Sequence, residues 1–188
     1  PDLGMFCVVA NDSSVSSPDG ENWTRRTLSS GTWNSVCWSP DLGLFCAVGD
    51  GKVATSPDGK NWTERTIPAG NWRSVCWAPD MGMFCAVGDG SRVATSFDGV
   101  TWMVHALPAG NWIDICYASE IGVFCVVGHG KAAISPDGDD WTTYTMPQMY
   151  DDIYVCWSPE LELFCAVASY GKAATSPDGE HWTQRTLL

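Results

Sequence analysis

The segment Ser17-Pro18-Asp19-Gly20-Glu21-Asn22-Trp23 recurs at 56–62, 96–102, 135–141 and 176–182, and no other feature restricts the fold as tightly. Its glycines, Gly20, Gly59, Gly99, Gly138 and Gly179, are spaced by 39, 40, 39 and 41 residues, and only Phe97 breaks the Ser-Pro-Asp-Gly form. Self-similarity at a near-constant period marks a chain assembled from one repeated supersecondary unit.

The second copy shows what the unit is. Trp33-Asn34-Ser35-Val36-Cys37-Trp38 is rich in β-formers and stops at Pro40-Asp41-Leu42-Gly43. Leu44-Phe45-Cys46-Ala47-Val48 follows and ends at Gly49-Asp50-Gly51. Val53-Ala54-Thr55-Ser56 enters the Pro-Asp-Gly turn, Trp62-Thr63-Glu64-Arg65-Thr66-Ile67 leaves it, and Pro68-Ala69-Gly70-Asn71 leads into the next unit. Each boundary carries turn chemistry: proline presets φ, glycine accepts positive φ, and aspartate bonds its own backbone. Four short antiparallel strands per repeat predict an all-β, five-bladed β-propeller occupying residues 1–188 as one domain. A solenoid would need polar capping repeats, and neither end differs from the middle, so closure into a ring is expected.

Composition narrows the class. Hydrophobic residues make up 45% of 188, which argues against disorder. No run of 18 apolar residues appears, so no membrane-inserted helix is expected. The first residues, Pro1-Asp2-Leu3-Gly4, show neither the basic nor the apolar region of a signal peptide. A net charge of −12 with no basic cluster argues against nucleic acid and anionic lipid as partners. Eleven Trp and 19 Gly fit a turn-rich β protein.

The Ser-x-Asp-Gly-x-x-Trp motif resembles the Asp-box, or BNR repeat, of sialidases, several lectins and assembly-factor propellers, and the resemblance covers all five repeats. It implies that the box is a turn between the third and fourth strands of a blade. Asp19, Asp58, Asp98, Asp137 and Asp178 would then bond the turn backbone, and Trp23, Trp62, Trp102, Trp141 and Trp182 would pack between blades. It does not imply sialidase chemistry, which needs an arginine trio, a Tyr–Glu nucleophile pair and an acid Asp that depart from the repeat. Arg26, Arg65 and Arg185 instead share one repeat position after the box.

One strand is missing from the count. Five Phe-Cys-x-Val strands occur, at Phe6, Phe45, Phe84, Phe124 and Phe164, but the preceding Val-Cys-Trp type strand occurs only around Cys37, Cys76, Cys116 and Cys156. The expectation is 19 strands, with one blade lacking its innermost. Either the segment belongs to a longer chain, or the ring closes with a three-stranded blade or borrows a strand. The last option would make self-association through the incomplete blade a mode of partnering.

The cysteines are Cys7 and four pairs nine residues apart: Cys37/Cys46, Cys76/Cys85, Cys116/Cys125 and Cys156/Cys165. Each pair straddles the Pro-Asp-Leu-Gly type turn and falls cross-strand on one face, as small buried hydrophobes or as disulfides. No Cys-x-x-Cys or clustered His points to zinc, and no metal or cofactor is expected. The cysteines leave the redox compartment open, and an extracellular or surface-associated setting suits a lectin-like scaffold.

Strand alternation divides the turns between two faces. The Gly-Asp-Gly-Lys turn and the Pro-Ala-Gly-Asn-Trp connection share the face richer in polar and aromatic groups. Lys52, Arg92, Lys131 and Lys172 occupy one repeat position there, with Ser13 in the first blade, either as a ring of cationic donors or as local pairing groups. Trp33, Trp72 and Trp112 open the innermost strands, beside Asn71 and Asn111, as stacking platforms or as core. His105, His129 and His181 fall at three different repeat positions and suggest no shared chemistry. Repeated loops imply repeated sites and avidity. The expected function is a non-enzymatic, multivalent binding scaffold, lectin-like by architectural analogy with five-bladed lectins and directed at glycans. The alternative is a structural or protein-interaction module of a larger surface or virion-associated protein.

Overall fold

Short runs of β-branched, aromatic and small apolar residues, each cut off by glycine or Pro-Asp, fold locally into antiparallel hairpins. In the computed structural model, which describes residues 3–150 and 152–186, they form 19 strands in five sheets. Blade 1 holds β1 (Phe6–Ala10), β2 (Ser13–Ser17) and β3 (Thr24–Thr27). Blade 2 holds β4 (Trp33–Ser39), β5 (Leu44–Gly49), β6 (Lys52–Ser56) and β7 (Thr63–Arg65). Blade 3 holds β8 (Trp72–Ala78), β9 (Met83–Gly88), β10 (Arg92–Ser96) and β11 (Met103–Ala106). Blade 4 holds β12 (Trp112–Ala118), β13 (Val123–Gly128), β14 (Lys131–Ser135) and β15 (Thr142–Thr145). Blade 5 holds β16 (Tyr154–Ser158), β17 (Leu163–Ala168), β18 (Lys172–Ser176) and β19 (Thr183–Thr186), with a 3-10 turn at Ser169–Gly171.

Strands pair in chain order within every blade, and blade 1 is the three-stranded sheet. Among the described residues, the expected 19 strands and missing inner strand are therefore what the fold contains. The Ser-x-Asp-Gly turns join third to fourth strands, as the repeat parse requires.

Side-chain alternation builds the core between blades rather than within them. In β9, Phe84 and Ala86 pack with Cys46 and Val48 of blade 2, whereas Cys85 and Val87 pack with Phe124 and Val126 of blade 4. All eight are completely buried. An aromatic triad spans each four-stranded blade: Trp77, Phe84 and Trp102, for instance, have successive centroid distances of 4.7 and 6.5 Å. Tyr117, Phe124 and Trp141 repeat it at 4.9 and 6.3 Å. Large rings with offset or tilted contacts supply most of the apolar area that holds such units together.

Packing runs in sequence: β1 on β4, β4 on β8, β8 on β12 and β12 on β16. No comparable packing links blade 5 back to blade 1 among the described residues. The end blades expose what inner blades bury. Phe6 is 57% exposed and Val167 41%, while Phe84 and Val87 are 0%. Among the described residues the outer faces of blades 1 and 5 are not packed on one another, so the five blades follow one another as an arc where a closed ring was one expectation.

The four predicted cysteine pairs are in register, with Cys37 opposite Cys46, Cys76 opposite Cys85, Cys116 opposite Cys125 and Cys156 opposite Cys165. All nine thiols are free. Burial pushes the Cys7 thiol up to about 11 and raises Cys46, Cys85 and Cys125 further, as expected of thiols used as small hydrophobes.

Candidate functional site

The Ser-x-Asp-Gly turns consume their own polar groups. In the third copy, the Ser96 hydroxyl accepts the Gly99 N–H at 2.9 Å, and Asp98 accepts the Val100 and Thr101 N–H groups at 2.7 Å each. Those backbone donors, Thr101 first, hold the Asp98 carboxyl below its ordinary value. Asp19, Asp58, Asp137 and Asp178 accept from their turns in the same way. Trp23, Trp102, Trp141 and Trp182 donate Nε1–H to the turn glycine carbonyl. Trp62 packs beside Phe45.

The opposite face contains the four basic residues and three tryptophans singled out by the repeat, and each basic group finds a backbone partner. Lys52 donates to the Ser30 carbonyl, Arg92 to Ala69, Lys131 to Ala109 at 3.2 Å and Lys172 to Gln148 at 2.9 Å. Trp33, Trp72 and Trp112 are buried and donate to the Ser29, Pro68 and Pro108 carbonyls at 2.9, 3.1 and 2.7 Å. Cation and indole together staple three of the inter-blade connections, and the one entering blade 5 has Lys172 alone. The tryptophans therefore pack as core, and their faces are not open stacking platforms.

The same face carries a groove of about 360 Å³ where the inner strands converge. Its walls come from a β-bulge. Register shifts between Trp33 and Ser35, Trp72 and Ser74, and Trp112 and Asp114 leave Asn34, Arg73 and Ile113 as extra residues in β4, β8 and β12. A bulge re-aims the extra side chain. Arg73 and Ile113 line the groove with Asp89, Asn111, His129 and Asp152. A continuation along the inner strands adds Asn34, Asp114 and Tyr154.

Hydrogen bonds fix the groove's polar groups. Asp89 accepts Arg73 Nε at 2.8 Å and Nη2 at 3.1 Å, and Asn71 Nδ2 at 2.9 Å. The Arg73 bonds lower the Asp89 pKa, and the Asp89 bond raises that of Arg73. Asn71 in turn accepts from Asn34 at 3.2 Å. Asp114 joins three blades: it accepts the Ser74 hydroxyl of blade 3 and the Val155 N–H of blade 5 at 2.8 Å. Burial raises its carboxyl despite those donors. The Asp152 carboxylate receives Ser169 Oγ at 3.4 Å, and His129 meets the Tyr150 ring edge-on at 6.2 Å.

Of the sequence candidates, Asn111 and Trp112 reach the groove, and Asn71 supports its lip. The repeat does not mark Arg73, Asp89, Asp114, Asp152 or Tyr154 as site residues, and His129 shares no repeat position with the other histidines. The available signal was departure from the repeat: the position after Trp33, Trp72 and Trp112 reads Asn, Arg and Ile. The groove is one asymmetric constellation rather than the same site repeated in each blade.

No family model and no curated protein matches the chain. Solved structures do. Streptogramin B lyase superposes with a TM-score of 0.84 at 12% identity, over 100% of this chain and 66% of that one. Virginiamycin B lyase from Staphylococcus aureus gives 0.83 at 14% identity, over 100% and 68%. YCF48 from Cyanidioschyzon merolae gives 0.65 at 18% identity, over 97% and 69%. The chain has the β-propeller fold of these proteins and spans 66% of the length of the first.

The lyases correct one expectation. Reading a ring of repeated loops as non-enzymatic does not hold, because the same architecture carries enzymes among its structural neighbours. At 12–14% identity the likeness establishes fold and transfers no chemistry.

Proposed function

We propose that this chain is a carbohydrate-binding propeller of the Asp-box type, with its ligand seated in the groove formed by β8, β12 and the segment entering β16. The observation that carries this reading is that Arg73, His129 and Asp152 in the groove depart from the repeat, whereas the repeated basic and indole groups are spent on backbone carbonyls. Planar side chains held by their neighbours, Arg73 with Asp89 above all, offer fixed donors and acceptors to sugar hydroxyls, and Ile113 supplies an apolar wall.

Titration calorimetry with neutral monosaccharides tests it. Binding that is weakened by Arg73→Met and by Asn111→Ala supports the site. Silence toward every sugar, with retention of a protein partner, favours the interaction-module reading instead. A second reading, turnover of the bound ligand, is favoured by His129 and Asp152 in one groove, residue types that transfer protons. Chromatography of the sugar after long incubation, with His129→Ala as control, decides between binding and turnover.

A further inference from the structure

Blade 5 departs from the repeat at three tyrosines beside the groove. Tyr150 stands where Gly31, Gly70 and Gly110 precede the other inner strands. Tyr154 stands where those strands carry Ser35, Ser74 and Asp114. Tyr170 tops the turn between β17 and β18, where blades 2 and 4 have Asp50-Gly51 and His129-Gly130. The three are 50%, 59% and 88% exposed.

Their placement is built rather than incidental. Tyr170 has φ 62° and ψ 29°, a left-handed conformation that is costly for a bulky side chain, and no burial of its ring offsets that cost. Ser169 anchors this turn to Asp152 in the groove wall at 3.4 Å. Lys172 Nζ lies 5.7 Å from the centre of the Tyr150 ring, and His129 packs on its edge. Tyr154 lines the inner-strand continuation of the groove itself.

We infer that Tyr150, Tyr154 and Tyr170 form an aromatic ridge that extends the groove into a second subsite. The ligand is then a neutral oligosaccharide several units long, laid from the groove outward across blade 5. The inference rests on the saccharide reading of the groove. Phenol rings stack against the C–H faces of pyranoses and leave their hydroxyls at the wet rim. Anionic sugars are disfavoured, because Asp89, Asp114 and Asp152 face the groove and its one arginine is already held by Asp89.

The test is a ladder of neutral oligosaccharides, from single units to hexasaccharides, titrated into the full chain and its variants. Affinity should climb by about tenfold from the shortest to the longest if two rings stack on sugar. Tyr170→Gly and Tyr150→Ala should each flatten the climb while leaving monosaccharide affinity intact. Tyr170→Gly should also raise the melting temperature, since glycine adopts φ 62° freely. Flat length dependence in the unaltered chain, or a climb that survives both substitutions, overturns the ridge while the groove stands. Absence of binding at every length overturns the groove reading beneath it.

Discussion

Arg73 grips Asp89 through two parallel N–H groups at 2.8 and 3.1 Å, at the lip of the groove. Both side chains are about half exposed, at 46% and 48%, so the pair contributes at most about 1 kcal/mol to stability. Its value is geometric, because a guanidinium held through Nε and Nη2 presents its remaining donors in fixed directions. Arg73→Met should leave thermal melting nearly unchanged and weaken sugar binding by about tenfold, the loss of one hydrogen bond to a charged donor. Arg73→Lys should not restore it, since an ammonium lacks the planar fork. Parallel melting curves and calorimetry separate the two effects.

Asp114 gives the fold a pH dependence of unusual sign. Burial raises its folded-state pKa, so its protonated form is favoured on folding. The stability this provides is present below the unfolded value near 3.8 and is lost as pH rises through the folded value. The carboxyls of Asp98 and Asp137, held low by turn N–H groups, act oppositely: their contribution is present above 3.8 and is lost as pH falls. Asp114→Asn should therefore gain stability relative to the unaltered chain as pH increases from 4 towards 7. Melting temperatures of both proteins across that range check the trend, and a constant difference would refute it.

Trp72 is completely buried with its indole N–H on the Pro68 carbonyl at 3.1 Å. Trp72→Phe should cost about 1–3 kcal/mol from the orphaned carbonyl and the space left behind. Sugar affinity in the groove should stay the same in chains that remain folded. Urea unfolding paired with titration measures both, and a selective loss of binding would restore the stacking role for this ring.

Phe84 and Phe6 occupy the same repeat position, yet one is fully buried between blades and the other is 57% exposed. Phe84→Ala should cost about 3–5 kcal/mol and Phe6→Ala about 1 kcal/mol or less. Denaturant midpoints compare them directly. Equal costs would mean that the outer face of blade 1 is covered in solution.

The repeat made the strands legible because each is bounded by a residue whose backbone preference is local: Pro40, Gly51, Pro57 and Gly59 need no tertiary context to turn the chain. The groove was hidden for the converse reason. Arg73 reaches it because Trp72 and Ser74 pair with the adjacent residues Gly88 and Val87, a register slip that appears only once two strands are aligned. Lys131 and Trp112 repeat conspicuously, but their partners are the Ala109 and Pro108 carbonyls, and backbone acceptors leave no mark in a sequence. Ring closure is not legible in the repeat, because it depends on whether distant faces meet, whereas the repeat describes neighbours alone.

That neighbour-to-neighbour packing has a consequence for how the molecule comes apart. A row of units, each leaning on the one before and the one after, loses structure by fraying inward from its ends, as an unzipping line does. Amide exchange should be fastest in β1–β3 and β17–β19 and slowest in β9 and β13, whose side chains are covered on both sheet faces. The groove lies between blades 3 and 5, so its outer wall belongs to a fraying unit. A ligand that bridges Arg73 and Asp152 would clamp that unit and slow its exchange without touching the far end of the arc.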